Sequence, residues 1–478
     1  MAITHGIHTN KVATSVSTPT EVETGIHFVV GTAPVHTVNG KVNGKVNEPI
    51  MLQNYSEAAE QLGYSDDWGK YSLCEEIYTA FQLYEISPIV VVNVLDPAKH
   101  KGEAKTTEEN VADNQIVLPI ETIKDSIEIT GKTKGEDYDT FYTEKGCVIE
   151  FLADTTGKVS VKHTEVDPSK VTKKDIIGGL DTSTHKATGF ELIDSVFPKF
   201  TIVPDLILCP NWTHDPEVAA IMAAKAENIN GVFDANAIID VDTTASGATY
   251  YANVPEWKKK KNLTKPNELV CFPKLKLGDR IFNHSTQLAA LISAVDTDED
   301  YGDGSPCESA SNKPLQADSA VLASGEEVLL DLQQANYLND NGVITAINFY
   351  NGFVSWGNYT AAFPQSSDPV DYFYCISRMF KWVAKTVTLT YWNSLDRRMT
   401  RRLIDAILQG VNDWLNGLTT EEKILGGRVE FRDDENSLTA LMAGKAKFHI
   451  YLTPPSPLQE MEFTLEYDVS YLSAALEA

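Results

Sequence analysis

Two periodicities of apolar residues alternate along this chain, and together they predict helices layered on a sheet. The run Ile26-His27-Phe28-Val29-Val30, closed by Gly31 and Pro34, predicts a buried strand. Ala59 and Leu62 mark the inner face of a short helix over 56–63, with Ser56 as its N-cap. Leu73, Ile77, Ala80, Phe81 and Tyr84 recur at helical spacing, and a continuous apolar run at 88–95 follows as a strand. A strand that is apolar on both faces must be covered on both, so helices are expected to flank the sheet.

Between about 99 and 199 the pattern changes. Gly, Asp, Lys and Thr become frequent, and only short β-like runs remain at 127–129, 147–151 and 159–161. These predict a β-rich domain inserted at the periphery, because exposed loops tolerate insertion. The α/β pattern then resumes with a strand at 206–209. Asp215 as N-cap and Pro216 at the first helical position open a helix that runs through 221–229, and a strand at 237–241 completes a βαβ unit. Its strands are expected to be parallel, with a right-handed crossover. Residues 295–323 read as an acidic loop rich in Gly, Pro and Ser, and a strand at 345–350 follows. Two long amphipathic helices come next. Phe373, Ile376, Phe380, Val383 and Val387 stripe the first, and Met399, Leu403, Ile407, Val411 and Trp414 the second.

The two ends differ from the rest. Residues 1–24 lack a pattern that would bury them in a domain of their own, so an extended arm is the simplest reading. After the apolar run 448–452 and the break Pro454-Pro455-Ser456-Pro457, Met461, Phe463, Leu465, Tyr467, Val469 and Tyr471 alternate without error with Glu460, Glu462, Thr464, Glu466, Asp468 and Ser470. This predicts a strand of about eleven residues, where about five or six is usual. Either the strand closes the subunit's own sheet, or its open edge pairs with another copy of the chain. The organisation is therefore an arm at 1–24, core at 25–98, an inserted domain at 99–199, core at 200–458 and a C-terminal strand or arm at 459–478. The fold class is multi-domain α/β, mixed α+β, with a core sheet flanked by helices.

The charge balance narrows the partners. Over 478 residues, 40 Lys and Arg face 67 Asp and Glu, a formal charge of −27. General affinity for nucleic acid or for anionic membrane is excluded on that ground, and screening by salt is expected to promote self-association. Cys74, Cys147, Cys209, Cys271, Cys307 and Cys375 are dispersed, with neither a disulfide framework nor zinc-ligand spacing, and are expected to be free thiols of a reducing cytosol. The opening residues hold no apolar segment after basic residues, and nowhere do 18 apolar residues run together, so neither a signal peptide nor a membrane span is expected.

Motifs for catalysis fail one by one. Between Gly40 and Gly44 only three residues intervene, and Val46 stands where a phosphate loop needs Ser or Thr. Asp296-Thr-Asp298-Glu-Asp300 opens like a calcium loop, but Tyr301 takes the place of the turn Gly and Cys307 that of the closing Glu. A solvated acidic loop is the plainer reading, weak cation binding the other. His5 and His8 have no nearby carboxylate to orient them. No nucleophile elbow or H-E-x-x-H is present, so no catalytic residue, cofactor or metal is expected. A rival enzyme reading has one place to put a site, between Asp205 and Asp215 at the end of a parallel strand. A third reading makes the inserted domain the recognition surface of an adhesin. One cluster opposes the global charge. Arg397, Arg398, Arg401 and Arg402 open the second long helix, with Lys381 and Lys385 on the helix before it. Arg398, Arg401 and Arg402 share a flank, and they either pair internally with acids or meet an acidic partner, whose carboxylates suit arginine's fork.

In this order the segments resemble the tail sheath family of contractile bacteriophages and related injection systems, including tailocins. The resemblance is carried by Gly25-Ile-His-Phe-Val-Val-Gly-Thr32, Ser311-Asn312-Lys313-Pro314-Leu315, Gly342-Val-Ile-Thr-Ala-Ile and Trp356-Gly357-Asn358-Tyr359-Thr360. Asn436, Gly444 and the Pro-rich turn before the last strand extend it; it spans 1–98 and 200–478 and leaves the insert unmatched. It implies a structural subunit, not an enzyme, with arms that add strands to neighbouring copies. It further implies hexameric rings stacked helically around an inner tail tube protein, with baseplate and tail terminator proteins at the ends. Assembly in the bacterial cytoplasm and a place in a virion tail or released tailocin follow from the same resemblance. On it, Ile3, Ile7, Val12, Met461, Phe463, Leu465, Tyr467 and Val469 are the strand-exchange residues. Arg398, Arg401, Arg402, Lys381 and Lys385 are the candidates to face the tube.

Overall fold

The computed structural model describes residues 19–38, 45–143, 145–297, 304–350 and 352–476. A six-stranded sheet lies at the centre, in the order Glu268–Cys271, Asn236–Asp240, Leu206–Leu208, His27–Gly31, Ile89–Asn93, Pro49–Leu52. The first five are mutually parallel, and the last pairs antiparallel with Ile89–Asn93. Every residue of those five is buried, which is why they read as apolar runs without alternation. Two of the polar residues among them, His27 and Asp240, find side-chain partners inside the molecule. His27 Nδ1 lies 2.5 Å from Glu76 Oε1 and its Nε2 2.8 Å from Ser293 Oγ, while Asp240 accepts from the amide and hydroxyl of Ser285.

The βαβ unit forms as expected. Asp215 accepts from the Glu217 amide at 2.9 Å, Pro216 opens the helix Pro216–Ala226, and Leu206 registers with Asn236 in parallel. The first short helix is instead Tyr55–Leu62, capped by Asn54, whose Oδ1 accepts from the Glu57 amide at 2.9 Å. Asn54 holds the extended backbone a cap requires, leaving Ser56 inside the helix. A helix at His284–Thr297, buried from His284 to Asp296, packs against the sheet and carries Ser285 and Ser293 to their partners.

The insert is β-rich but shorter than 99–199. Strands between Lys105 and His163 make two three-stranded antiparallel sheets around their own small core of Ile116, Leu118, Ile149, Phe151 and Val161. Val166, Val171, Ile176, Phe190, Ile193 and Val196 belong to the main core. Their turns are short and partly 3-10, so they carry neither a two-residue nor a 3.6-residue period by which the sequence would reveal their burial.

The C-terminal part builds a second core. The helices Tyr374–Tyr391 and Arg401–Thr420 and the hairpin Gly426–Glu430/His449–Thr453 enclose Met379, Trp382, Val383, Val411, Trp414, Leu415 and Val429. The second helix starts behind Thr400, whose hydroxyl accepts from the Leu403 amide at 3.2 Å. Arg397, Arg398 and Met399 therefore stand in the loop before it, and Met399 is exposed and not part of the stripe.

Candidate functional site

The alternating C-terminal segment forms no strand. Residues 454–468 pair with no other segment among the described residues, and Val469–Leu476 is helical. Alternation supplies the two faces of a strand, but its backbone groups still need an edge to pair with. The reading in which it closes the subunit's own sheet is overturned. So is the expected continuation of the strand through Val469 and Tyr471. There Asp468 accepts from the Ser470 amide at 2.9 Å, and the Ala- and Leu-rich end that follows favours helix. Met461, Phe463, Leu465 and Tyr467 are 68, 80, 95 and 75% exposed. At its root the segment is tied down: Tyr359 donates its hydroxyl to Gln459 Oε1 at 2.7 Å, and Cys307 Sγ lies 3.8 Å from the Pro455 carbonyl oxygen.

In the hairpin Gly426–Glu430/His449–Thr453 each strand pairs only with the other among the described residues, but Asn412 of the helix Arg401–Thr420 holds the amide and the carbonyl of Val429, so the outer edge of His449–Thr453 is the one left with unpaired backbone groups among the described residues.

Ile3, Ile7 and Val12 lie outside the described residues. The end of the N-terminal arm does not, and it runs along the first long helix. Trp382 Nε1 donates to the Val22 carbonyl and Lys385 Nζ to the Glu23 carbonyl, both at 2.9 Å. Trp414 Nε1 reaches Glu21 Oε1 at 3.3 Å, and Arg378, paired with Asp296, reaches Thr24 Oγ1 at 3.3 Å.

Lys381 and Lys385 are therefore corrected as tube-facing candidates. Lys385 is 2.5 Å from Asp205 Oδ1, with the two side chains 6 and 14% exposed. Lys381 donates to the Ala235 carbonyl and Asn236 Oδ1 at 2.9 and 2.8 Å, and burial pushes its ammonium down to about 7. Both point into the molecule because the arm and the start of the strand Asn236–Asp240 cover the flanks of this helix. Those covers come from segments remote in sequence, which helical spacing does not reveal. Arg397, Arg398, Arg401 and Arg402 do stand exposed, beside the exposed Trp392 and Leu395. The exposed Arg401–Asp405 pair at 2.9 Å is a weak tie that leaves the cluster open to a partner.

The place held for an enzyme site comes apart. Asp205 precedes its strand at the amino end, held by Lys385 and by the Gly25 amide at 2.6 Å, whereas Asp215 lies beyond the other end, capping a helix. Asp296, read as part of an acidic loop, is inside the helix His284–Thr297 and paired with Arg378. The sequence reading missed Arg378 altogether, although an arginine on an otherwise apolar helix face, with an aspartate ending another apolar helix, is the trace such a pair leaves. The six cysteines are buried thiols, and no helix of the described residues is long and apolar enough to cross a membrane.

No known family's sequence model matches the chain. Similarity to individual proteins nevertheless runs its full length. The chain is 24% identical over 496 aligned residues to the tail sheath protein of Burkholderia phage BcepMu, covering 98% of this chain and 97% of that one. It is 30% identical over 159 residues to the tail sheath protein of Escherichia phage P2, covering 32 and 39% of the two chains. Among solved structures, the sheath complex of an extracellular contractile injection system, PVC, in its contracted state shares the fold with a TM-score of 0.59 at 10% identity, over 98% of this chain and 99% of that one. The contracted helical sheath of the anti-feeding prophage gives 0.57 at 11% identity, over 97 and 99%. The similarity to tail sheath proteins bears out the family resemblance read from the sequence, and the solved structures bear out its fold.

Proposed function

We infer that the protein is a structural subunit of a contractile tail sheath, a helical polymer whose shortening drives an inner tube through a target cell envelope. Similarity over 98% of the chain to the tail sheath protein of a phage supports the identity. The observation that carries the assembly reading is an exposed, alternating C-terminal segment in a chain whose hairpin leaves the His449–Thr453 edge open.

In this reading, Met461, Phe463, Leu465 and Tyr467 of one copy enter the hairpin edge of a neighbour, and Ile3, Ile7 and Val12 of the other arm serve a further neighbour. Covering the first four side chains gains on the order of 1.5–3 kcal/mol each, while ordering the backbone costs about 1–2 kcal/mol per residue. One exchanged arm is thus close to balance, and only the sum over a lattice of copies becomes favourable. With 27 net negative charges per copy, salt tips that sum toward assembly. Hexameric rings stack around the inner tube, with the baseplate and a terminator at the ends. Arg398, Arg401 and Arg402 face the tube. Contraction is an exchange between two packings of the same subunits and needs no nucleotide. Assembly takes place in the bacterial cytoplasm.

Negative-stain electron microscopy with sedimentation velocity, across a salt series, tests this. Striated hollow tubes favoured by salt are expected. A small closed oligomer at every salt concentration, even with the tube protein added, refutes it.

A further inference from the structure

The helix Tyr374–Tyr391 contacts the end of the N-terminal arm directly and is linked to the root of the C-terminal segment through Tyr359 and the residues around Cys307. Arg378, Trp382 and Lys385 stand at i, i+4 and i+7, so they form one stripe along it. That stripe grips residues 22–24 of the N-terminal arm, and two of its three contacts are to backbone carbonyls, those of Val22 and Glu23. The grip reads the path of the arm and not its side chains. Each charge in the stripe is in turn tied to the main core, Arg378 to Asp296 of the helix His284–Thr297 and Lys385 to Asp205, which also accepts from the Gly25 amide. Buried pairs of this kind are a poor source of stability compared with apolar packing. What they supply here is one position for the arm.

The other chain end is held at the head of the same helix. Phe373, its N-cap residue, bridges with Tyr359 and stacks on it with ring centroids 5.5 Å apart. Tyr359 in turn holds Gln459. Next in the chain, Tyr374 accepts the Ala310 amide on its hydroxyl at 2.9 Å, in the segment whose Cys307 meets the Pro455 carbonyl. The Trp356-Gly357-Asn358-Tyr359-Thr360 motif thereby has a local task, since the Tyr374 amide also donates to the Asn358 carbonyl at 3.0 Å.

We propose that the helix Tyr374–Tyr391 is the common mooring of both arms, so that tension applied through either arm by neighbouring copies reaches one element and passes through Asp205 and Asp296 to the main core. The source of the tension rests on the sheath reading; the mooring is a property of the single chain.

Hydrogen exchange read by mass spectrometry on the full-length chain, kept monomeric in low salt, separates the two. Trp382→Phe removes the donor and keeps the ring; it should speed exchange in 19–25 about tenfold, equivalent to about 1.4 kcal/mol. Exchange in 27–31 and 455–460 should not change. Tyr359→Phe should do the same to 455–460 alone. Lys385→Met should match Trp382→Phe if it folds. In salt, the protein concentration needed for tubes should rise about tenfold in the Trp382→Phe and Tyr359→Phe variants. Unchanged exchange at 19–25 in Trp382→Phe overturns the mooring, as does an equal rise across 27–31, which would mean general loosening. Faster arm exchange with unchanged tube formation overturns the load path. Absence of tubes in the unsubstituted chain, with the exchange pattern as expected, defeats the sheath reading and leaves the mooring standing.

Discussion

Replacing Arg378 by Leu tests whether the contact between the two cores is built as described. Arg378 and Asp296 have side chains 3 and 0% exposed, and among the described residues the carboxylate has only Thr24 Oγ1, at 2.8 Å, as a further side-chain donor. Removing the guanidinium leaves a buried carboxylate with one neutral hydrogen bond. The cost of breaking such a pair from one side is about 3–5 kcal/mol, whereas replacing both partners by apolar residues is often neutral or stabilising. Arg378→Leu should therefore destabilise by about 3–5 kcal/mol, and Arg378→Leu with Asp296→Leu should recover most of the loss. Urea unfolding followed by tryptophan fluorescence is the assay, because Trp382 and Trp414, with ring centroids 5.6 Å apart, sit in the core that this pair fastens. A single variant that loses under about 1 kcal/mol, or a double variant no better than the single, refutes the assignment of a desolvated pair.

Acid should weaken the fold before most carboxylates titrate. Burial pushes both His36 and His284 down from 6.5 to about 4, so their contribution is complete above pH 6.5 and disappears as the pH falls through 4. Each shift is worth on the order of 3 kcal/mol, and stability that stays flat from pH 6.5 to 4.5 would contradict the burial of both. Gly178→Ala should cost about 3 kcal/mol or more, since φ is +71° and a Cβ would lie 1.8 Å from the Thr188 carbonyl oxygen. Gly131→Ala, with φ +77° but open space around it, should cost about 1 kcal/mol; equal melting temperatures for the two variants would be the wrong result. Replacing Phe463 and Leu465 by Ser should leave monomer melting within about 1 °C of the parent and abolish tubes, because both are exposed in the single chain. A lowered melting temperature would mean that they pack within the subunit.

The amino-acid sequence by itself determined the elements whose burial repeats locally. The strands at His27–Gly31 and Ile89–Asn93, the βαβ unit with its Asp215 cap and the two long helices follow from short-range spacing, because a residue's face in a helix or strand is set by its neighbours. The ordered likeness of its motifs to tail sheath proteins was also present in the chain alone. What only the tertiary structure decided is where each charge and each unpaired edge goes. Lys385 and Arg401 are both cations on amphipathic helices, yet one is buried on Asp205 and the other is in solvent, since a segment distant in sequence covers only the first. The C-terminal alternation specified two faces but no partner, and a backbone without an edge to pair with forms no strand within its own chain. On the proposed reading that edge comes from a neighbouring copy, where pairing depends on how copies meet and not on any local pattern.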